Sequence, residues 1–193
     1  MKRARTSSSG GSVTGGTMDI KPQLMTITGT TQTTDQYNVV KFSLPQVRTT
    51  RSLPGKSIIL EILKIYWSLP DVNNGGDVGV SIFATLATNS LNRNTADTST
   101  NATYKADVSD SNALASIFWS QAFTTSGVQH VHSPQVSDLT DENGNGVLVA
   151  TDNLFFIAGN VSMGTAGFAT CKVLYRFVAV NLEEYIGIVQ SQN

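Results

Sequence analysis

Thirteen residues, SIILEILKIYWSL (57–69), constrain the fold more than any other part of this chain. Read at a period of two, Ile59, Glu61, Leu63, Ile65 and Trp67 share one face, and Ile58, Leu60, Ile62, Lys64 and Tyr66 share the other. Both faces are mostly apolar, so a strand here needs cover on both sides. The β-branched and aromatic content, with Pro70 closing the run, favours a strand over a helix.

Further runs of the same kind follow the chain between clusters of turn residues. PQLMTITG (22–29), YNVVKFSL (37–44), VGVSIFATL (78–86), VQHVH (128–132), GVLVA (146–150), NLFFIAGNVS (153–162) and FATCKVLYRFVAVNL (168–182) all read as strands. DVNNGGD (71–77) reads as a turn. The polar stretch 87–112 is long enough to be an exposed or functional loop. SDSNALASIFWSQ (109–121) offers a helix start, with Ser109 or Asp110 as N-cap, that drifts into strand FWSQAFTT. The tail EEYIGIVQSQ (183–192) reads as a strand or an extended segment. About eight strands, unevenly spaced and with almost no helix, predict an all-β fold: a single jelly-roll antiparallel β-sandwich with Greek-key links.

At 193 residues the chain suits one domain with its own core. It contains one cysteine, so no intrachain disulfide supports the fold and packing must do so. No run approaches the ~18 apolar residues of a membrane-spanning helix. Only 14% of residues are charged, while Ser, Thr and Asn number 57, and a surface so poor in ions is easier to bury against neighbours.

Charge is unevenly distributed. Residues 1–60 hold eight basic and two acidic residues, a net +6, and the remainder carries −7. Three of the first five residues, Lys2, Arg3 and Arg5, are basic, and small residues separate them from the first strand-like run. The segment lacks the apolar core of a secretory signal and cannot bury enough surface to offset its ordering entropy. Residues 1–17 are therefore expected to form a flexible basic arm, with 18–193 as the folded domain. Lys2, Arg3 and Arg5, together with Arg48 and Arg51, are candidates for sequence-independent phosphate contacts. Three basic residues bind weakly in one copy, and many copies on one wall would act through multivalency.

Catalysis has little to build on: G-x-S-x-G, Walker and H-E-x-x-H motifs are all absent, and the chain is not expected to be an enzyme. Cys171 lies in an apolar run and reads as a small core residue. His130 and His132 point the same way in a strand, which suits a shared metal, a pH-sensitive contact or two ordinary histidines. DENGNGVLVATD (141–152) has the spacing of a calcium loop, with Asp141, Asn143, Asn145 and Asp152 as ligands and Gly146 at the turn. The same NGNG is an ordinary hairpin turn signal. Calcium is the one cofactor the sequence suggests.

The ending VLYRFVAVNLEEYIGIVQSQ (173–192), the MKRAR start and the chain length resemble capsid proteins of small circular single-stranded DNA viruses that encode a replication initiator protein (the CRESS-DNA group). That resemblance implies self-assembly of one jelly roll into a T=1 icosahedral shell of about 60 copies. The shell would enclose a single-stranded DNA genome held non-specifically by the arm. It places the protein in the virion, assembled inside the host cell, with KRAR as a candidate nuclear import signal; it names no receptor. Coat proteins of this group often carry a much longer Arg-rich arm. Two other classes compete: a β-sandwich carbohydrate- or ligand-binding module with Trp67 or Trp119 as stacking platform, and a β-fold hydrolase, for which no constellation is visible.

Overall fold

A computed structural model describes residues 21–31, 37–45, 55–69, 79–90, 111–122, 135–161 and 167–192. The arm 1–17, Arg48, Arg51, the turn 71–77, the cap positions Ser109 and Asp110, most of the 87–112 loop, His130 and His132 lie outside the described residues.

Nine strands and one helix are described. They are β1 (Gln23–Thr31), β2 (Tyr37–Ser43), β3 (Lys56–Ser68), β4 (Gly79–Ala87), β5 (Ala113–Ala122), β6 (Gln135–Asp138), β7 (Val147–Val149), β8 (Asn153–Val161), β9 (Gly167–Asn181) and α1 (Leu182–Ser191). One sheet runs β1-β9-β3-β6, with β7 also on β3; the other runs β2-β8-β4-β5. All pairings are antiparallel. The first strand pairs with the last, the second with the eighth, the third with the sixth and seventh, and the fourth with the fifth. This nested pairing, rolled so that most successive strands change sheet, is the jelly roll anticipated from the strand pattern.

The edge partner of β3 is split. β6 pairs with Lys64–Trp67 and β7 with Leu60–Ile62, and between them the register of β3 against β9 shifts. Leu63 is the extra residue of this bulge, and its carbonyl accepts the Leu139 N–H at 2.9 Å. The bulge corrects the simple period-two reading. Leu60, Ile62, Ile65 and Trp67 lie opposite Phe177, Tyr175, Val173 and Cys171 and face the core together. Glu61, Lys64 and Tyr66 take the outer face.

Between the sheets, Met25, Ile27, Leu60, Ile62, Ile65, Trp67, Leu86, Leu154, Phe156, Val173 and their neighbours form one buried cluster. The Trp67 ring stacks on Phe156 of the opposite sheet with centroids 6.4 Å apart, and its Nε1–H donates to Ser137 Oγ at 2.8 Å. Gly29 makes room for that contact, because a Cβ there would stand 3.0 Å from the Phe156 ring.

Two local expectations are corrected. Residues 113–122 are strand throughout, and Asn112, where a helix would have begun, instead closes the β4–β5 end by accepting from Thr88 N at 2.9 Å and Thr88 Oγ1 at 3.2 Å. The tail is helical rather than extended. Asn181 caps α1 by accepting the Glu184 N–H at 2.8 Å, and Glu183 and Glu184 lie favourably in the first turn. Among the described residues no helix is long and apolar enough to cross a membrane.

Replacing Trp67 with Ala removes a fully buried ring and orphans Ser137. Urea unfolding of this variant is expected to show a loss of about 3–5 kcal/mol.

Candidate functional site: the outer face of the five-stranded sheet

The solvent side of β1-β9-β3-β6 is organised by one ion pair. Glu61 is 2% exposed although it lies on the outer face. Its neighbour across the ladder is Arg176, whose guanidinium grips it through Nε, and through Nη2 at 3.2 Å. The same carboxylate accepts the Gly146 N–H at 2.6 Å, and Arg176 Nη2 donates onward to the Gly144 carbonyl at 3.3 Å. The 141–146 loop is thus clamped over the middle of the sheet. Gly146 must be glycine for this approach, since a Cβ would come within 2.0 Å of the Ile62 carbonyl oxygen.

The calcium-like loop is shaped by its own hydrogen bonds. Asp141 Oδ1 accepts from Asn143 N at 2.9 Å and Asn145 N at 2.8 Å, and Oδ2 accepts from Asn145 Nδ2 at 3.0 Å. These bonds hold the Asp141 carboxyl below its usual range, with Asn145 the largest cause. Gly144 adopts a φ of 78°, as the reversal requires. The structure therefore brings Asp141, Asn143 and Asn145 together. Asp152 stands beyond the far end of β7, where it helps line a cavity of about 150 Å³ with Leu44, Ile58, Phe177 and Tyr185. No cluster of three or more His, Cys, Asp and Glu side chains suited to a metal occurs among the described residues.

Beyond the clamp the sheet is open. Leu24 is 60% exposed, Phe168 69% and Val136 51%. The register sets Leu24 opposite Leu174, Thr30 opposite Phe168, and Thr26, Lys172, Tyr66 and Val136 in one row. Lys64 is tied to Asp138 at 2.7 Å. That bond, with two from Thr140, draws the Asp138 carboxyl down to about 2. Sequence alternation pointed to β1 as a strand; that its exposed Leu24 meets half-buried Leu174 depends on pairing between residues 150 positions apart.

Trp67 is sealed in the core and offers no stacking platform, whereas Trp119 is half-buried on the edge strand β5. Cys171 is fully buried, and burial pushes its thiol up to about 12, as suits an inert core residue.

No protein-family model matches the chain, and no curated protein matches it. Solved structures do. The VP1 pentamer of human polyomavirus 7 aligns with a TM-score of 0.51 at 10% identity, covering 86% of this chain and 98% of that one. The unassembled VP1 pentamer of KI polyomavirus gives 0.51 at 11%, with the same coverage. The chain shares the fold of polyomavirus VP1. VP1 of trichodysplasia spinulosa-associated polyomavirus, solved in complex with GM1 oligosaccharide, gives 0.48 at 11%, covering 88% and 96%.

These likenesses correct the expectation drawn from the chain's ends. The structural relatives are capsid proteins of double-stranded DNA viruses, not of the circular single-stranded DNA group. The 60-copy T=1 shell and its single-stranded genome were implied only by that resemblance and are withdrawn with it.

Two measurements check the clamp. Glu61→Ala strands Arg176 and the Gly146 N–H, and is expected to cost about 2 kcal/mol in chemical denaturation with faster amide exchange across 141–146. Because the folded-state value of Asp138 lies below 3.8, its contribution is complete above pH 4 and is lost as pH falls towards 2. Carboxyl NMR titration is expected to place its midpoint near 2, and Lys64→Met to move it back towards 3.8.

Proposed function

We propose that this chain is a shell-forming viral capsid subunit that associates with copies of itself through a five-membered ring. The observation that carries the reading is the outer face of the five-stranded sheet, where Leu24, Phe168 and Val136 stand largely in solvent on a rigid, paired scaffold. Three large apolar side chains left exposed on one face of a paired sheet suit an interaction surface. The low charge of the chain lowers the desolvation cost of covering such a face. The pentameric state of the VP1 structures that share the fold supplies the ring number.

In this reading Lys2, Arg3, Arg5, Arg48 and Arg51 contact phosphates of a packaged nucleic acid, each weakly and all together through the many copies of the shell. The protein resides in the virion, and its assembly takes place in the nucleus of the host cell. Glycan binding belongs to the same reading, and Trp119, half-buried on the edge strand β5, is its candidate stacking residue.

Light scattering coupled to size-exclusion chromatography, with negative-stain microscopy, tests the proposal. The expected result is five-membered rings that grow into shells as salt and pH are varied. A chain that stays monomeric at high concentration in every condition overturns it. Sialylated glycans on an array are expected to retain assembled protein, and to release it when Trp119 is replaced by Ala.

A further inference from the structure

Two apolar surfaces of the described chain are left without cover, and they lie too far apart to meet within one subunit. The first is the open part of the sheet face, with Leu24, Leu174, Phe168 and, in the next row, Lys172 between Thr26 and Tyr66. Lys172 has no carboxylate partner among the described residues, whereas Lys64 has Asp138. The second surface is α1. None of its residues is buried, and Leu182 and Ile186 are 54% and 46% exposed. Their i, i+4 spacing stacks them on one stripe, and Glu183 flanks that stripe. The helix has acidic residues in its first turn and no basic residue in its last.

α1 begins directly after Asn181, at the end of β9 where Asn181 pairs with Lys56. Leu174 and Phe168 lie seven and thirteen residues back along that strand. At about 3.3 Å per residue this is roughly 23 and 43 Å. The helix is also held at its own end: the Gln192 side chain accepts from Ala150 N at 3.1 Å and donates to Leu148 O at 2.7 Å, as a neighbouring strand would along the free edge of β7. A helix so placed cannot turn back over the sheet of its own subunit.

We infer that the occupant of the open sheet face is helix α1 of a second copy of this chain. Leu182 and Ile186 lie against Leu24 and Leu174, and Glu183 pairs with Lys172 in the next row. The match is one of charge as well as apolar area: an acidic, lysine-free helix against a sheet face whose unpaired ion is a cation. Leu182 and Ile186 stand about 6 Å apart along the helix, close to the roughly 5 Å between the paired Leu24 and Leu174 across the β1–β9 ladder. Different surfaces of the two copies meet, so the contact can pass from copy to copy round the five-membered ring proposed above. The inference rests on the self-assembly reading and names the interface it uses.

The test uses the full chain and sedimentation velocity, with thermal unfolding as a control for folding. Leu24→Asp and Leu182→Asp replace exposed side chains and are expected to keep the melting temperature of the monomer while weakening association by about tenfold or more. Lys172→Glu is expected to weaken association, and Lys172→Glu combined with Glu183→Lys to restore it. Wild-type assembly with Leu24→Asp and Leu182→Asp associating equally well overturns this interface and leaves the self-assembly reading standing. A double charge reversal no better than Lys172→Glu alone overturns the Glu183–Lys172 pairing. A wild-type chain that never associates overturns the self-assembly reading, and this interface with it.

Discussion

Strand β3 must be covered on both faces and paired on both edges, and the bulge at Leu63 lets one strand meet all four demands. Without the extra residue, strict alternation would put Ile65 and Trp67 on the same side as Glu61. With it, the apolar residues on either side of position 63 face the core together, and Glu61 turns outward to Arg176. The bulge also divides the partner strand into β6 and β7, and the loop between them is what Glu61 and Arg176 hold. One irregularity in the ladder therefore decides the core, the edge and the clamp.

The clamp illustrates how a costly buried charge is made tolerable. Glu61 is removed from water, but it receives a guanidinium and a backbone N–H in return, so its oxygens are engaged rather than orphaned. Replacing one partner alone is for that reason more harmful than the net strength of the pair suggests. The same economy of ions runs over the rest of the surface. Lys64 and Asp138 satisfy each other, the Thr28 and Thr170 hydroxyls meet at 3.1 Å, and between them run Thr26, Lys172, Tyr66 and Val136. Such a face loses little when another surface displaces its water, which is why self-association suits it.

Much of the architecture was legible along the chain. Eight of the nine strands were marked by alternation or by short apolar runs bounded by turn residues, and their uneven spacing pointed to a rolled sandwich. The exception was β6, where QVSD (135–138) is too short and polar to signal. The helix was misread because Ile186, Ile188 and Val189 favour strands, while Asn181 and Glu184, three residues apart, carry a capping signal that outweighs them. The virus group was misjudged for a related reason: a strand followed by a helix is a common ending, and the few basic residues at the other end belong to no single family.

What the amino-acid order determined by itself is local: which stretches extend, where the chain turns, that no disulfide supports it, and that its surface is poor in ions. These follow from steric preference and side-chain chemistry within a few neighbours. Only the tertiary structure decided that Glu61 meets Arg176 over 115 positions, that Trp67 is core and not platform, and that Leu24 and Phe168 stand uncovered on one sheet face. Register is the physical reason. A slip of one residue exchanges the two faces of a strand, and nothing in a single strand's sequence records the bulge in β3 that sets which face its partners meet.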